Sequence, residues 1–191
     1  MNERPGPVRR VAQPISLKGR ALRLLSGREY SRFELERKLA EHEAQPGELV
    51  KALDELQAKG FISDQRAAAS VVHRRSGRMG AARVAQEMQR KGLGAELVSE
   101  AVQSLRDTEY DRALEVWRRK YGQRLAAADE SAVDETHDAA HDEAPVDSQI
   151  ARQNAAREKV RQMRFLLTRG FAPEVIRRVV REGPEGLDDG L

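Results

Sequence analysis

Between Arg66 and Lys91 the chain carries seven cations, Arg66, Arg74, Arg75, Arg78, Arg83, Arg90 and Lys91, against a single anion, Glu87. A second cluster, Arg112, Arg118, Arg119, Lys120 and Arg124, faces only Glu115. A third gathers Arg157, Lys159, Arg161, Arg164, Arg169, Arg177, Arg178 and Arg181 against Glu158 and Glu174. Arginine predominates, and its planar fork suits paired hydrogen bonds to phosphate or carboxylate. Cations grouped this way attract a polyanion with an affinity that falls as salt rises. The plainer reading of any one arginine is a solvated helix face with internal salt pairs. That reading is weakest for the runs Arg74-Arg75 and Arg118-Arg119-Lys120, which have no carboxylate within a helical turn except Glu115. The stretch before Arg66 is near balance: Lys18, Arg20, Arg23, Arg28, Arg32, Arg37 and Lys38 stand against Glu29, Glu34, Glu36, Glu41 and Glu43.

Catalytic chemistry finds no comparable support. Cysteine is absent, which removes disulfides, thiolate metal sites and a thiol nucleophile. His42, His73, His137 and His141 have no Ser, Cys or Asp constellation around them. No glycine-rich phosphate loop follows a strand. The carboxylates fall at salt-pair spacing on helices. The sequence therefore predicts no enzyme, no cofactor and no metal centre. Trp117 and Tyr121, four residues apart, read as core packing before base stacking.

These side chains ride on short helices. Aromatic residues make up 4% of the 191 residues and β-branched runs are few, so an all-α fold is expected. Hydrophobic content is 39% and charged content 34%, which favours many helices that each bury one stripe. Ser16 opens a first helix with an apolar face of Ala21, Leu22, Leu24 and Leu25, ended by Ser26-Gly27. Ser31 and Glu34 stand at capping-box spacing before Phe33, Leu35 and Leu39. Leu49, Leu53 and Leu56 mark a third helix closed by Lys59-Gly60.

The pattern then repeats. Leu35, Leu39, Leu49, Leu53 and Leu56 recur forty-nine residues later as Val84, Met88, Val98, Val102 and Leu105, with Ser31 opposite Gly80. Ala21, Leu24 and Leu25 recur forty-seven residues later as Ala68, Val71 and Val72, which implies a two-residue insertion in the 75–80 loop. A third copy is split. Its first helix starts at Asp111 and includes Trp117, and it resumes with Val160, Met163, Leu166 and Leu167, then Val175, Ile176, Val179 and Val180. A fixed apolar period signals tandem repeats that cover one another by stacking.

The resulting division is a disordered basic arm over 1–15, repeat one over 16–62, repeat two over 63–110, repeat three over 111–182, and a disordered tail over 183–191. Repeat three is interrupted by an acidic insert at 125–150, with eight carboxylates from Asp129 to Asp147 and no Lys or Arg. The insert reads as a solvated linker; an intramolecular decoy for the basic face and a metal pair at His137 and His141 are the alternatives. The first residues hold arginines without an apolar run behind them, and no stretch approaches the roughly 20 apolar residues of a membrane span. A cytoplasmic protein is expected, and a monomer, because the apolar stripes are narrow enough to be used up by stacking.

The run ALRLLSGREYSRFELERKL from Ala21 to Leu39, then Lys59-Gly60-Phe61-Ile62-Ser63-Asp64-Gln65-Arg66, then Arg75, Gly80, Val84, Met88 and Lys91-Gly92, resembles the RecX family of bacterial recombination regulators. The closing KVRQMRFLLTRGFAPEVIRRVV resembles that family's last repeat. The likeness covers about residues 16–182 apart from the insert, and the order of three related units makes it specific. Ala68 stands where members often carry an aromatic residue, and Gln65 where they often carry an acid. The resemblance implies an elongated, curved array of three tandem three-helix repeats. It implies binding to the RecA recombinase filament on single-stranded DNA, with restraint of ATP hydrolysis, strand exchange and the co-protease activity of the SOS response. On this reading Arg74, Arg75, Arg78, Arg83, Arg90 and Lys91 supply the filament contact, and Arg118, Arg119 and Lys120 continue it, on acidic protein, on DNA phosphate or on both.

The competing expectation is a DNA-binding module without sequence preference, since three-helix units resemble helix-turn-helix domains but base-reading Asn and Gln are scarce here. A helical adaptor for another acidic partner is a third class.

Overall fold

The computed structural model describes residues 15–122 and 146–183, all of them in helices, turns and short connections. The expected N-terminal arm, most of the acidic insert, and the tail beyond Gly183 lie outside the described residues, as do His137 and His141. The helices are α1 (Leu17–Leu25), α2 (Arg32–Leu39), α3 (Glu48–Ala58), α4 (Asp64–Arg75), α5 (Ala81–Arg90), α6 (Ala95–Arg106), α7 (Glu109–Trp117), α8 (Val146–Leu167) and α9 (Pro173–Glu182). A 3-10 turn, Ala40–His42, follows α2, and a π-helical turn, Arg118–Gly122, continues α7. Among the described residues no helix is long and apolar enough to cross a membrane.

The chain divides into two compact units, Met1–Asp64 and Gln65–Leu191. In the first, α1, α2 and α3 close over Leu17, Ala21, Leu35, Leu39, Leu49, Leu53, Leu56 and Ile62. The Ser31 hydroxyl accepts the Glu34 amide at 3.1 Å, and the Glu34 carboxylate accepts the Ser31 amide at 3.2 Å. This is the capping box that the spacing predicts, and it satisfies two amides that the helix start leaves open. Three of the cations here are in ion pairs: Lys18 pairs with Glu55, Arg28 with Glu34 at 2.9 Å, and Arg32 with Asp54 at 2.7 Å. The hydrogen bond to Glu34 raises the Arg28 pKa further above its ordinary value.

The second unit holds two helical trios. One, α4 to α6, has its own core of Ala68, Val71, Val84, Met88, Leu93, Val98, Ala101 and Leu105. The other, α7 to α9, is built around Trp117, Tyr121, Leu166, Phe171, Ile176 and Val179. Trp117 and Tyr121 are each 2% exposed, so they are core residues, and the indole N–H donates to the buried Gln162 side chain at 3.1 Å.

Backbone and polar groups join the two trios at several points. The Gly80 amide donates to the Arg169 carbonyl at 2.9 Å. A Cβ at Gly80 would lie 2.2 Å from the Gly170 carbonyl oxygen, so only glycine fits there. Gly170 itself has φ of +78° and ends α8, with the Phe171 amide returning to the Leu166 carbonyl. Glu109, 4% exposed, accepts the Ala81 amide at 3.1 Å and so caps α5 from α7. Arg112 donates to the carbonyls of Ser76 at 2.9 Å, Met79 at 2.8 Å and Leu105 at 2.6 Å. Burial pushes its guanidinium below the usual range, against the opposing pull of Glu109.

Four residues placed on apolar faces by spacing are exposed instead: Leu22, Phe33, Val160 and Leu167. The buried stripes are narrower than the apolar runs. Leu22 and Leu167 each stand one residue, about 100°, from the buried Ala21 and Leu166, and Phe33 stands two residues from Leu35. The third trio also begins earlier than expected, at Glu109 rather than Asp111. Helix α8 starts at Val146, inside the stretch assigned to the insert, and residues 149–157 are exposed all round.

At the end of α9, Arg181, Arg178 and the Tyr110 hydroxyl all converge on Glu182. The hydrogen bonds from Arg181 and Arg178 hold its carboxyl down at about 2. A depressed carboxylate stabilises the fold fully above its unfolded value and loses that contribution as pH falls through the folded one. NMR titration should therefore show Glu182 ionised at pH 4, with a midpoint near 2. Gly80→Ala should cost about 1–3 kcal/mol or more in urea unfolding, as overpacking against fixed backbone does. Gly77→Ala, which meets nothing within 4 Å, should stay within about 0.5 kcal/mol of the parent.

Candidate polyanion-binding surface

Helices α4 and α5 present most of the arginines singled out by the sequence. Arg74 lies on the last turn of α4, exposed, with its Nε on the Ser70 carbonyl at 3.2 Å. Arg75 follows it, and its Nε donates to Glu87 of α5 at 2.7 Å. The internal salt pair that the sequence makes less expected for the Arg74-Arg75 run is therefore present at Arg75. Glu87 is distant in sequence but directly across the α4–α5 turn.

Arg78 sits exposed in that turn. Arg83, on α5, donates to Gln86 at 2.9 Å, an uncharged partner that leaves its positive charge uncompensated. Arg90 is the last residue of α5 and Lys91 its C-terminal cap. Arg75, Arg83, Arg90 and Lys91, with Met79 and Glu87, line one concavity of about 430 Å³. Four cations and one carboxylate around an open concavity can hold phosphate or carboxylate groups. The basic end of α5 also faces the negative pole of its own helix, which favours cations there.

The second group is placed differently. Arg118 opens the π-helical turn and is half-buried. Arg119 is exposed and pairs with Glu115 at 2.8 Å. Lys120 lies 4.0 Å from the centre of the Phe165 ring and 5.4 Å from that of Tyr121. It lines a separate concavity of about 390 Å³ with Tyr121, Arg157, Val160, Arg161, Arg164, Phe165 and Thr168. Arg112, counted with the same cationic cluster in the sequence, is taken up by three carbonyls and is not offered to a ligand.

Sequence reasoning did not place Arg157, Arg161 and Arg164 at a site. Their four- and three-residue spacing on one helix face was the available signal. Among the described residues no cluster of His, Asp and Glu could hold a metal ion.

Three family models match in chain order. The RecX first three-helix domain covers residues 18–56, the second 63–102 and the third 148–180. The chain is 46% identical to the regulatory protein RecX of Leptothrix cholodnii over 87% of this chain and 88% of that one. It is 36% identical to the regulatory protein RecX of Ralstonia pickettii over 93% and 94%. Among solved structures, RecX from Lactobacillus salivarius superposes with a TM-score of 0.61 at 18% identity, covering 87% of this chain and 94% of that one. That likeness supports the fold alone. The matched helices are α1 to α3, α4 to α6, and α8 with α9, with the split of the third trio falling between α7 and α8. A chain of three helical trios, with relatives of this identity along nearly its whole length, belongs to the RecX family of regulatory proteins.

Proposed function

We propose that this chain binds the RecA recombinase filament assembled on single-stranded DNA and restrains it. ATP hydrolysis, strand exchange and co-protease activity fall as a result, and recombination, repair and the SOS response are held back. The chain acts as a cytoplasmic monomer that carries out no reaction of its own. One observation carries this reading: in a RecX-family chain, Arg75, Arg83, Arg90 and Lys91 line a single concavity on the second trio. A rigid set of cations meets a regular polyanionic or acidic surface through several weak contacts at once, and such contacts multiply in affinity when their spacing matches.

The rigidity comes from the joint between the second and third trios. Glu109 fixes the start of α5, and Arg112 fixes the turn after α4. The arginines on those two helices are therefore held in one relative position, and less conformational freedom is lost on binding. Arg74 and Arg78 extend the same cationic edge, and Arg118, Arg119 and Lys120 supply a further patch.

A DNA-binding module remains the second reading, favoured by the same concavity. Binding to bare single strand, bare duplex and RecA-coated strand, each at about 50 mM and about 200 mM salt, separates the two. The filament reading predicts preference for the coated strand at both salts. Equal or tighter binding to bare DNA, with a steep loss at the higher salt, contradicts it. Arg83→Glu with Arg90→Glu should weaken binding to the coated strand about tenfold at low salt while circular dichroism stays unchanged. Unaltered affinity would remove this concavity from the interface. The pair Arg74→Glu and Arg75→Glu should act in the same direction, with part of the Arg75 effect arising from the lost Glu87 ion pair.

A further inference from the structure

The concavity on the third trio is cationic, partly apolar and open. Lys120, Arg157, Arg161 and Arg164 surround Val160 and Phe165. Val160 is 49% exposed, so the concavity offers an aliphatic side chain amid four cations. Arg161 pairs with Glu158 at 3.2 Å. Among the described residues, Arg157 and Arg164 are in no ion pair. The floor does not suit a nucleobase: the Phe165 ring already has the Arg169 guanidinium at 3.6 Å and the Lys120 ammonium at 4.0 Å. A surface of this kind fits an acidic polypeptide that also carries an aliphatic side chain.

We propose that its occupant is the chain's own acidic segment between Asp129 and Glu143. Charge is the first reason. That segment carries seven carboxylates and no Lys or Arg, and Val133 sits between Glu130 and Asp134 as the aliphatic residue that Val160 and Phe165 would receive. Its points of attachment are the second. The last described residue before the segment is Gly122, directly after Lys120 and Tyr121, which line the concavity. The chain returns at Val146, the first residue of α8, and the same helix supplies Arg157, Arg161 and Arg164.

Length is compatible with this. Arg157 lies about 17 Å along α8 from Val146 at 1.5 Å per residue. The 23 residues between Gly122 and Val146 can span up to about 75 Å. Attachment at both ends gives the carboxylates an effective concentration on the order of millimolar, so a weak electrostatic contact suffices to fill the site. The same tether gives the segment an advantage over a free acidic peptide or a strand of nucleic acid competing for Arg157 and Arg164.

The absence of cysteine makes the test clean. Ser131→Cys and Thr168→Cys place one spin label in the acidic segment and one at the rim of the concavity, for distance measurement by pulsed electron paramagnetic resonance. A short-distance population should be present at about 20 mM salt and lost at about 500 mM. It should also be lost in a variant carrying Asp134→Asn, Glu135→Gln, Asp138→Asn and Asp142→Asn, and in one carrying Arg161→Glu and Arg164→Glu. Equally broad distributions in the parent and the neutralised variant at low salt would overturn the proposal. So would a short distance that persists after reversal of Arg161 and Arg164. A short distance appearing in mixtures of singly labelled chains would assign the site to a second copy instead.

Discussion

A helix leaves four amides open at its start and four carbonyls open at its end, and burial makes these groups costly unless something answers them. In the second compact unit the answer comes from the neighbouring trio. Glu109 and Arg112 stand one turn apart on α7. The carboxylate takes the Ala81 amide at the start of α5, while the guanidinium takes carbonyls of Ser76, Met79 and Leu105. An acid and a base on one helix face thus serve opposite ends of the helices opposite them. The Gly80–Gly170 approach is what lets the two trios come close enough for those bonds to form.

This arrangement explains why one position differs between repeats. Ser31 and Gly80 occupy equivalent places before the second helix of their trios. In the first trio the serine hydroxyl closes a capping box. In the second, a hydroxyl-bearing side chain would collide with the Gly170 backbone, so the cap is supplied from outside by Glu109. The second and third trios therefore keep separate apolar cores while sharing their helix ends. Between these two trios, stacking involves polar fit as well as covered apolar surface.

The helices, their order and the repeat were legible because stripes at three- and four-residue spacing and helix-ending glycines are local signals. Trp117 and Tyr121 read correctly as core for the same reason. What escaped was set by partners distant in sequence. Glu109 and Arg112 look like ordinary surface charges on a short helix, and nothing near them indicates that one is 4% exposed and the other bonded to three carbonyls. The Arg75–Glu87 pair crosses a turn whose geometry no periodicity reveals. Spacing puts Leu22, Phe33, Val160 and Leu167 on apolar faces, but an apolar run is broader than the stripe a small trio can cover, and all four are exposed. The clusters of basic residues were visible, but their division between two concavities depended on the fold.

The most direct test of this account is native-state hydrogen exchange at the Gly80 and Ala81 amides. If the second and third trios are joined as described, these amides open only when the joint opens. Their protection should then match that of the Ala113 and Trp117 amides in the middle and at the end of α7. Exchange at the rate of an ordinary frayed helix start, far faster than at Ala113, would show that the trios move independently and that the arginines of α4 and α5 are not held in place by α7.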